Sequence, residues 1–188
     1  MRIALCILLI TSLTGCGSIL TATRDTPIES NKGTRTFGSS IDDQLIETKA
    51  TVNIAKSHIE LERDSRVSVV SYNGVVLLAG QVPRQELKDQ AGSVAQRVQR
   101  VKVVHNELTV GPQIPLLARN TDALITTSSK ARLLADSAIP GRRIKVTTEA
   151  GVIYLLGLVR RAEAERAVQT VQQVGGVQRI VKLFEYID

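Results

Sequence analysis

The sequence predicts an α+β protein built as two tandem αββαβ units. Three observations lead there. The residues Asn73-Gly74-Val75-Val76-Leu77-Leu78-Ala79-Gly80-Gln81-Val82 return as Ala150-Gly151-Val152-Ile153-Tyr154-Leu155-Leu156-Gly157-Leu158-Val159, with both glycines and the closing valine in register. Each pair of glycines is separated by 77 positions (151 − 74 and 157 − 80), so the chain carries one long-period repeat. The flanks repeat as well. Strand-like alternation precedes each copy, and a helical stripe follows it.

The elements of each unit follow in order. Asp43-Gln44-Leu45-Ile46-Glu47-Thr48 and Asp122-Ala123-Leu124-Ile125-Thr126-Thr127 open the two units, each with an acidic residue placed to start a helix. Val67-Ser68-Val69 and Ile144-Lys145-Val146-Thr147 alternate with period two, as strands with one buried face do. Gly74 and Gly151 sit where a tight hairpin needs a residue at positive φ. Gly80 and Gly157 lie inside the second strand, where a bulge or the close approach of a packed helix is expected. Leu87, Ala91, Val94, Ala95 and Val98 recur at helical spacing, as do Ala164, Val168, Val171 and Val174. Strands at 103–110 and 179–187 close the units.

Length fits this division. The chain has 188 residues, enough for one or two domains, and the repeat decides for two of about 65 residues each. Units that small bury only about 60% of their unfolded surface, so they are expected to pack together or lean on a partner. There is no Trp, and Phe, Trp and Tyr together make 3% of the chain, so the cores must be aliphatic. The expected boundaries are 41–110 for the first unit, 111–120 for a linker and 121–188 for the second. In the linker Pro112 and Pro115 fix φ and stiffen the connection.

With this order, the turn glycine, the Gly-x-Val that ends the second strand and the Asn106-Glu107-Leu108 of the first unit, each unit resembles the BON domain of bacterial envelope proteins. The resemblance covers nearly all of the chain after its N-terminal segment. It implies for each unit a small three-stranded mixed sheet with two helices packed on it. It implies a fold far more specifically than an activity.

The N-terminal segment reads as an export signal. Met1-Arg2 and the apolar run Ile3-Ala4-Leu5-Cys6-Ile7-Leu8-Leu9-Ile10 are too short to span a membrane as a mature helix. Leu13-Thr14-Gly15-Cys16 resembles a lipobox, so residues 1–15 are expected to be removed and Cys16 to be acylated. More than one acyl chain gives stable attachment. Gly17, and not Asp, follows the cysteine, which under the sorting rule known for such lipoproteins points to the outer membrane, facing the periplasm. Cys6 would leave with the signal, so no thiol remains for a disulfide or a thiolate metal site. Residues 16–40 are polar, without apolar period, and read as a tether. Tandem units behind such a signal look like an outer-membrane lipoprotein of the BON family.

The formal charge of +6 becomes +5 without Arg2. Residues 44–110 hold nine Lys/Arg against seven Asp/Glu, and residues 121–188 hold ten against seven. A basic protein tethered to a membrane suggests an anionic phospholipid surface as partner. Nucleic acid would suit the pI of 9.6, but export argues against it. The second unit places Arg142, Arg143 and Lys145 at the start of its first strand and Arg160 and Arg161 after its second. An antiparallel hairpin brings those ends together, next to the free N–H groups of the following helix. The cluster is a candidate headgroup site; a solvated rim is the plain alternative. Leu124 is a second candidate. It stands one step off the Ile125, Ser129, Leu133 stripe and could project to a bilayer, or pack beside Ala131 and Leu134. In relatives of this kind the corresponding helix is associated with contact to anionic phospholipid.

Nothing in the sequence organises an active site, and no cofactor or metal is expected. His58 and His105 have no counterpart in the second unit. Glu86 and Glu163 read as equivalent early helical residues favoured by the dipole, and Gly175-Gly176 as a helix C-terminal cap. No nucleotide-binding, hydrolase or zinc-protease motif occurs. Two functions remain: lipid binding in support of envelope integrity, with the division site as one place for it, and a protein-interaction module acting on outer-membrane assembly machinery or amidase regulators.

Overall fold

The computed structural model describes residues 33–188. Cys16, the signal at 1–15 and most of the expected tether lie outside the described residues. The first repeat comprises α1 (Phe37–Ser57), α2 (Ile59–Arg63), β1 (Arg66–Tyr72), β2 (Val75–Val82), α3 (Gln85–Gln96) and β3 (Val103–Val110). The second comprises α4 (Leu116–Ala135), a 3-10 turn (Gly141–Arg143), β4 (Ile144–Glu149), β5 (Val152–Val159), α5 (Arg161–Gln172) and β6 (Arg179–Tyr186). Both sheets are mixed and three-stranded, as expected. The hairpin strands are antiparallel, and the strand after the helix returns parallel to the central one. The short α2 was not anticipated; His58 caps it, its Nδ1 accepting from the Glu60 N–H at 3.2 Å.

Each central strand is buried on both faces, which explains its continuous apolar run. Val76, Leu78 and Val82 of β2 face α1 and α3 with Ile46, Ile54, Leu87 and Leu108. Ile153, Leu155 and Val159 of β5 face α4 and α5 with Ile125, Leu133 and Val171. The alternate residues meet between the repeats: Val75, Leu77 and Ala79 of β2 pack with Tyr154 and Leu156 of β5 and Leu183 of β6. The sheets are therefore back to back, and the helices form the two outer layers. Packing the repeats together solves the burial problem that each would face alone. The seam is also tied by polar contacts. Glu149 accepts from Arg66 and Gln81, Lys145 donates to Glu47 and to the Ser71 carbonyl, and Asn73 donates to Glu185.

Two structural expectations change. The acidic residues do not start the helices, which begin six residues earlier, at Phe37 and Leu116, inside the stretches read as tether and linker. Asp43 and Asp122 sit within the helices and grip the hairpin turns instead. Asp122 accepts from the Ala150 and Gly151 N–H groups at 2.8 and 2.9 Å. Asp43 accepts from the Asn73 and Gly74 N–H groups, the Ser71 hydroxyl and Arg35. Burial raises the Asp43 carboxyl, but those four donors outweigh it and hold the group below its ordinary value. The turns they grip are two-residue loops with positive φ at both positions, 54° and 80° at Asn73-Gly74 and 51° and 74° at Ala150-Gly151.

The strand glycines also change their reason. A Cβ on Gly80 would lie 1.9 Å from the Arg66 carbonyl oxygen, and one on Gly157 would lie 2.6 Å from that of Arg143. The close neighbour is the first residue of β1 in one repeat and the last residue before β4 in the other, not a helix packed on the sheet.

Candidate functional site: the outer face of the second repeat

The site is built on α4. Asp122, Ile125, Ser129 and Leu133 are its buried residues. At about 100° per residue, Leu116, Leu117, Asn120, Ala123, Leu124, Thr127, Ala131 and Leu134 share the opposite arc, without a charge among them. Four leucines stand out there, with exposures of 70% at Leu116, 78% at Leu117, 69% at Leu124 and 59% at Leu134. Leu124 therefore projects outward rather than finding cover beside Ala131 and Leu134. A helix of a globular protein normally places polar residues on this side. Leu116 and Leu117 were missed as partners of Leu124, hidden by their assignment to the linker, although the seven-residue spacing of Leu117 and Leu124 is visible in the sequence. Leu134 was read only as cover for Leu124, and it is exposed beside it.

The basic cluster is smaller than its sequence suggests. The backbone behaves as expected: Ile144 pairs with Gly157, so the start of β4 lies beside the end of β5. The side chains diverge. Arg142 and Arg143 lie in the 3-10 turn, not in β4. Arg143 pairs with Glu163 at 2.9 Å, and Lys145 points into the seam, where its Nζ lies 2.5 Å from Glu47. Arg161 stacks over Tyr186 at 4.6 Å from the ring centroid. Arg142 and Arg160 are exposed and make no ion pair among the described residues.

The N-terminus of α5 is not open to phosphate. Glu163 accepts from the Arg160 N–H at 2.8 Å, and Asp188 accepts from the Arg161 N–H at 3.2 Å. The chain's own carboxylates hold the place where an anion would sit. Glu163 is the third residue of α5 while Glu86 is the second residue of α3, so the two are not equivalent. The reason is a shortened connection: β2 and β5 start 77 positions apart (152 − 75), but β3 and β6 start 76 apart (179 − 103).

Among the described residues no group of three or more His, Cys, Asp or Glu side chains could hold a metal ion. No described helix is long and apolar enough to cross a membrane. What α4 offers is an outward arc with four exposed leucines and no charge.

The comparisons with known proteins agree with this architecture. The BON domain family model matches twice, at residues 42–112 and 121–188. The outer membrane lipoprotein DolP of Haemophilus influenzae is 38% identical over 82% of this chain and 79% of its own length. The 21 kDa hemolysin of Actinobacillus pleuropneumoniae is 33% identical over 81% of this chain and 78% of its own. The osmotically-inducible protein Y of Escherichia coli is 32% identical over 76% and 72%. The chain belongs to the BON family. Within it, this is an envelope protein of the outer-membrane lipoprotein type.

Proposed function

We propose that this protein is anchored in the outer membrane through acylated Cys16 and lays α4 against anionic phospholipid of the periplasmic leaflet, supporting envelope integrity. The observation that carries this reading is the uncharged face of α4 with its four exposed leucines. Attachment works at two points. Acyl chains hold the domains at high effective concentration near the bilayer, so a weak second contact becomes occupied. The leucines supply apolar area, at about 25 cal/mol for each Å² removed from water. Arg160, exposed and without an ion pair among the described residues, would gain about 1 kcal/mol from an anionic surface. A non-acylated chain beginning at Gly17 should sediment with phosphatidylcholine vesicles that contain phosphatidylglycerol and lose much of that binding in high salt. Failure to sediment with vesicles either with or without phosphatidylglycerol would leave the acyl chains as the sole attachment and remove α4 from the mechanism.

The protein-interaction reading has its own support. Phe37, Ile41, Leu45 and Val52 form an exposed apolar stripe on α1, with Phe37 85% exposed. That stripe lies in the opposite outer layer from α4, so one flat bilayer cannot take both. A protein of the assembly machinery or an amidase regulator is the partner this second face would take. Lost pull-down of such a partner by an Ile41→Ser, Leu45→Ser variant that keeps its vesicle binding would support it.

A further inference from the structure

The polar cleft at the seam between the repeats has no role in the reading above. It encloses about 330 Å³ and opens between α1 and β1 on one side and α4 and the start of β4 on the other. Four cations line it, Arg35, Lys130, Arg142 and Lys145, against two carboxylates, Asp43 and Glu47. The carboxylates are committed. Asp43 already accepts from four donors, and Glu47 accepts from Lys145 and from the Ser71 N–H at 2.7 Å. Arg35 is held between Asp43 and the face of Tyr72, 4.0 Å from the ring centroid. Arg142 and Lys130 are exposed and have no ion pair among the described residues. Two fixed cations thus stand beside two free ones, Arg35 on the wall of the first repeat and the other three on the wall of the second, with a net surplus of positive charge.

We propose that this cleft binds a phosphate group. A tetrahedral anion with several acceptor oxygens suits an Arg fork together with Lys point charges arriving from different walls. The volume lies at the lower end of the range for small-ligand sites and accommodates a glycerophosphate. Because its walls belong to different repeats, the anion would bridge them and stabilise their packing. Phospholipid headgroups and free phosphate compounds share this chemistry. The headgroup source rests on the proposed membrane contact: Lys130 lies on the flank of α4, so the cleft mouth would stand at headgroup depth when the leucines are down.

The test uses the chain from residue 16 with Cys16→Ser, titrated at constant ionic strength with inorganic phosphate and with glycerol phosphate, and read by amide chemical shifts. Saturable shifts are expected around Tyr72, Lys130, Arg142 and Lys145. The double variant Lys130→Ser, Arg142→Ser leaves every ion pair among the described residues intact, and its affinity should fall roughly thirtyfold. A double variant elsewhere, Lys88→Ser, Arg97→Ser, should bind as the parent does. Loss of phosphate binding together with loss of phosphatidylglycerol vesicle binding assigns the site to headgroups. Loss of phosphate binding with vesicle binding intact assigns it to a free phosphate compound. Unsaturable shifts in the parent, or equal affinity in the Lys130, Arg142 variant, would overturn the site. Leu124→Ser separates the two proposals, since it should weaken vesicle binding and leave the phosphate titration unchanged.

Discussion

The two repeats hold the same turn with the same residue type and surround it differently. Asp43 gathers two turn N–H groups, a hydroxyl and a guanidinium, whereas Asp122 takes the two N–H groups alone. Asn73 occupies the first positive-φ position of one turn, and Ala150 occupies it in the other. What recurs is therefore the minimal clamp that fixes the hairpin against the helix. What differs marks where each repeat does something of its own: the first ties itself into the seam through Glu47 and the Ser71 carbonyl, which accept from Lys145, and the second presents the leucine face.

The largest effect should come from the fuller clamp. Asp43→Ala leaves a guanidinium and three other donors without their acceptor and should cost about 3 to 5 kcal/mol in denaturant unfolding. Asp122→Ala should cost about 2 kcal/mol. Equal losses would mean that Arg35 and Ser71 add nothing to the first turn. The same contrast appears in acid. The folded value of Asp43 is depressed, so its contribution is complete above the unfolded carboxylate value of about 4 and fades as pH falls through the lower folded value. Asp43→Asn should start less stable at neutral pH and lose less between about pH 4 and 2 than the parent does. A parallel pair of stability curves would contradict this.

Smaller effects should run the other way. Ser129 has a buried hydroxyl with no hydrogen-bond partner among the described residues, where Ala50 fills the equivalent site of α1. Ser129→Ala should stabilise the fold by up to about 1 kcal/mol. Ala150→Asn puts a residue tolerant of positive φ in the second turn and should add about 0.5 to 1 kcal/mol. Thermal melts decide both, and a loss of stability in either would show that the second repeat is adapted to the residue it has.

Most of the fold was legible because it rests on local periodicity and on turns that glycine must make. Gly74 and Gly151 announce the hairpins, and the double-sided burial of β2 and β5 is written in their unbroken apolar runs. The helix starts were misread because Asp43 and Asp122 look like caps, and only tertiary structure reveals a mid-helix carboxylate reaching a turn about 30 residues away. The basic cluster was overcounted for a related reason. Sequence spacing places Arg143 and Lys145 correctly on the backbone, but Glu163 and Glu47, which pair with them, are brought in by a different helix of the same repeat and by the other repeat. The leucine face and the cleft needed the layer order, which the repeat alone does not specify.

The most direct measurement compares the two outer layers. In a chain with Cys16→Ser, Leu124→Cys on α4 and Leu45→Cys on α1 would each carry an environment-sensitive fluorophore, and phosphatidylglycerol vesicles would then be added. The label at 124 should shift to the blue and become accessible to bilayer quenchers, while the label at 45 stays in water. A shift at 45 alone, or at neither position, would contradict the assignment of α4 as the membrane-facing surface.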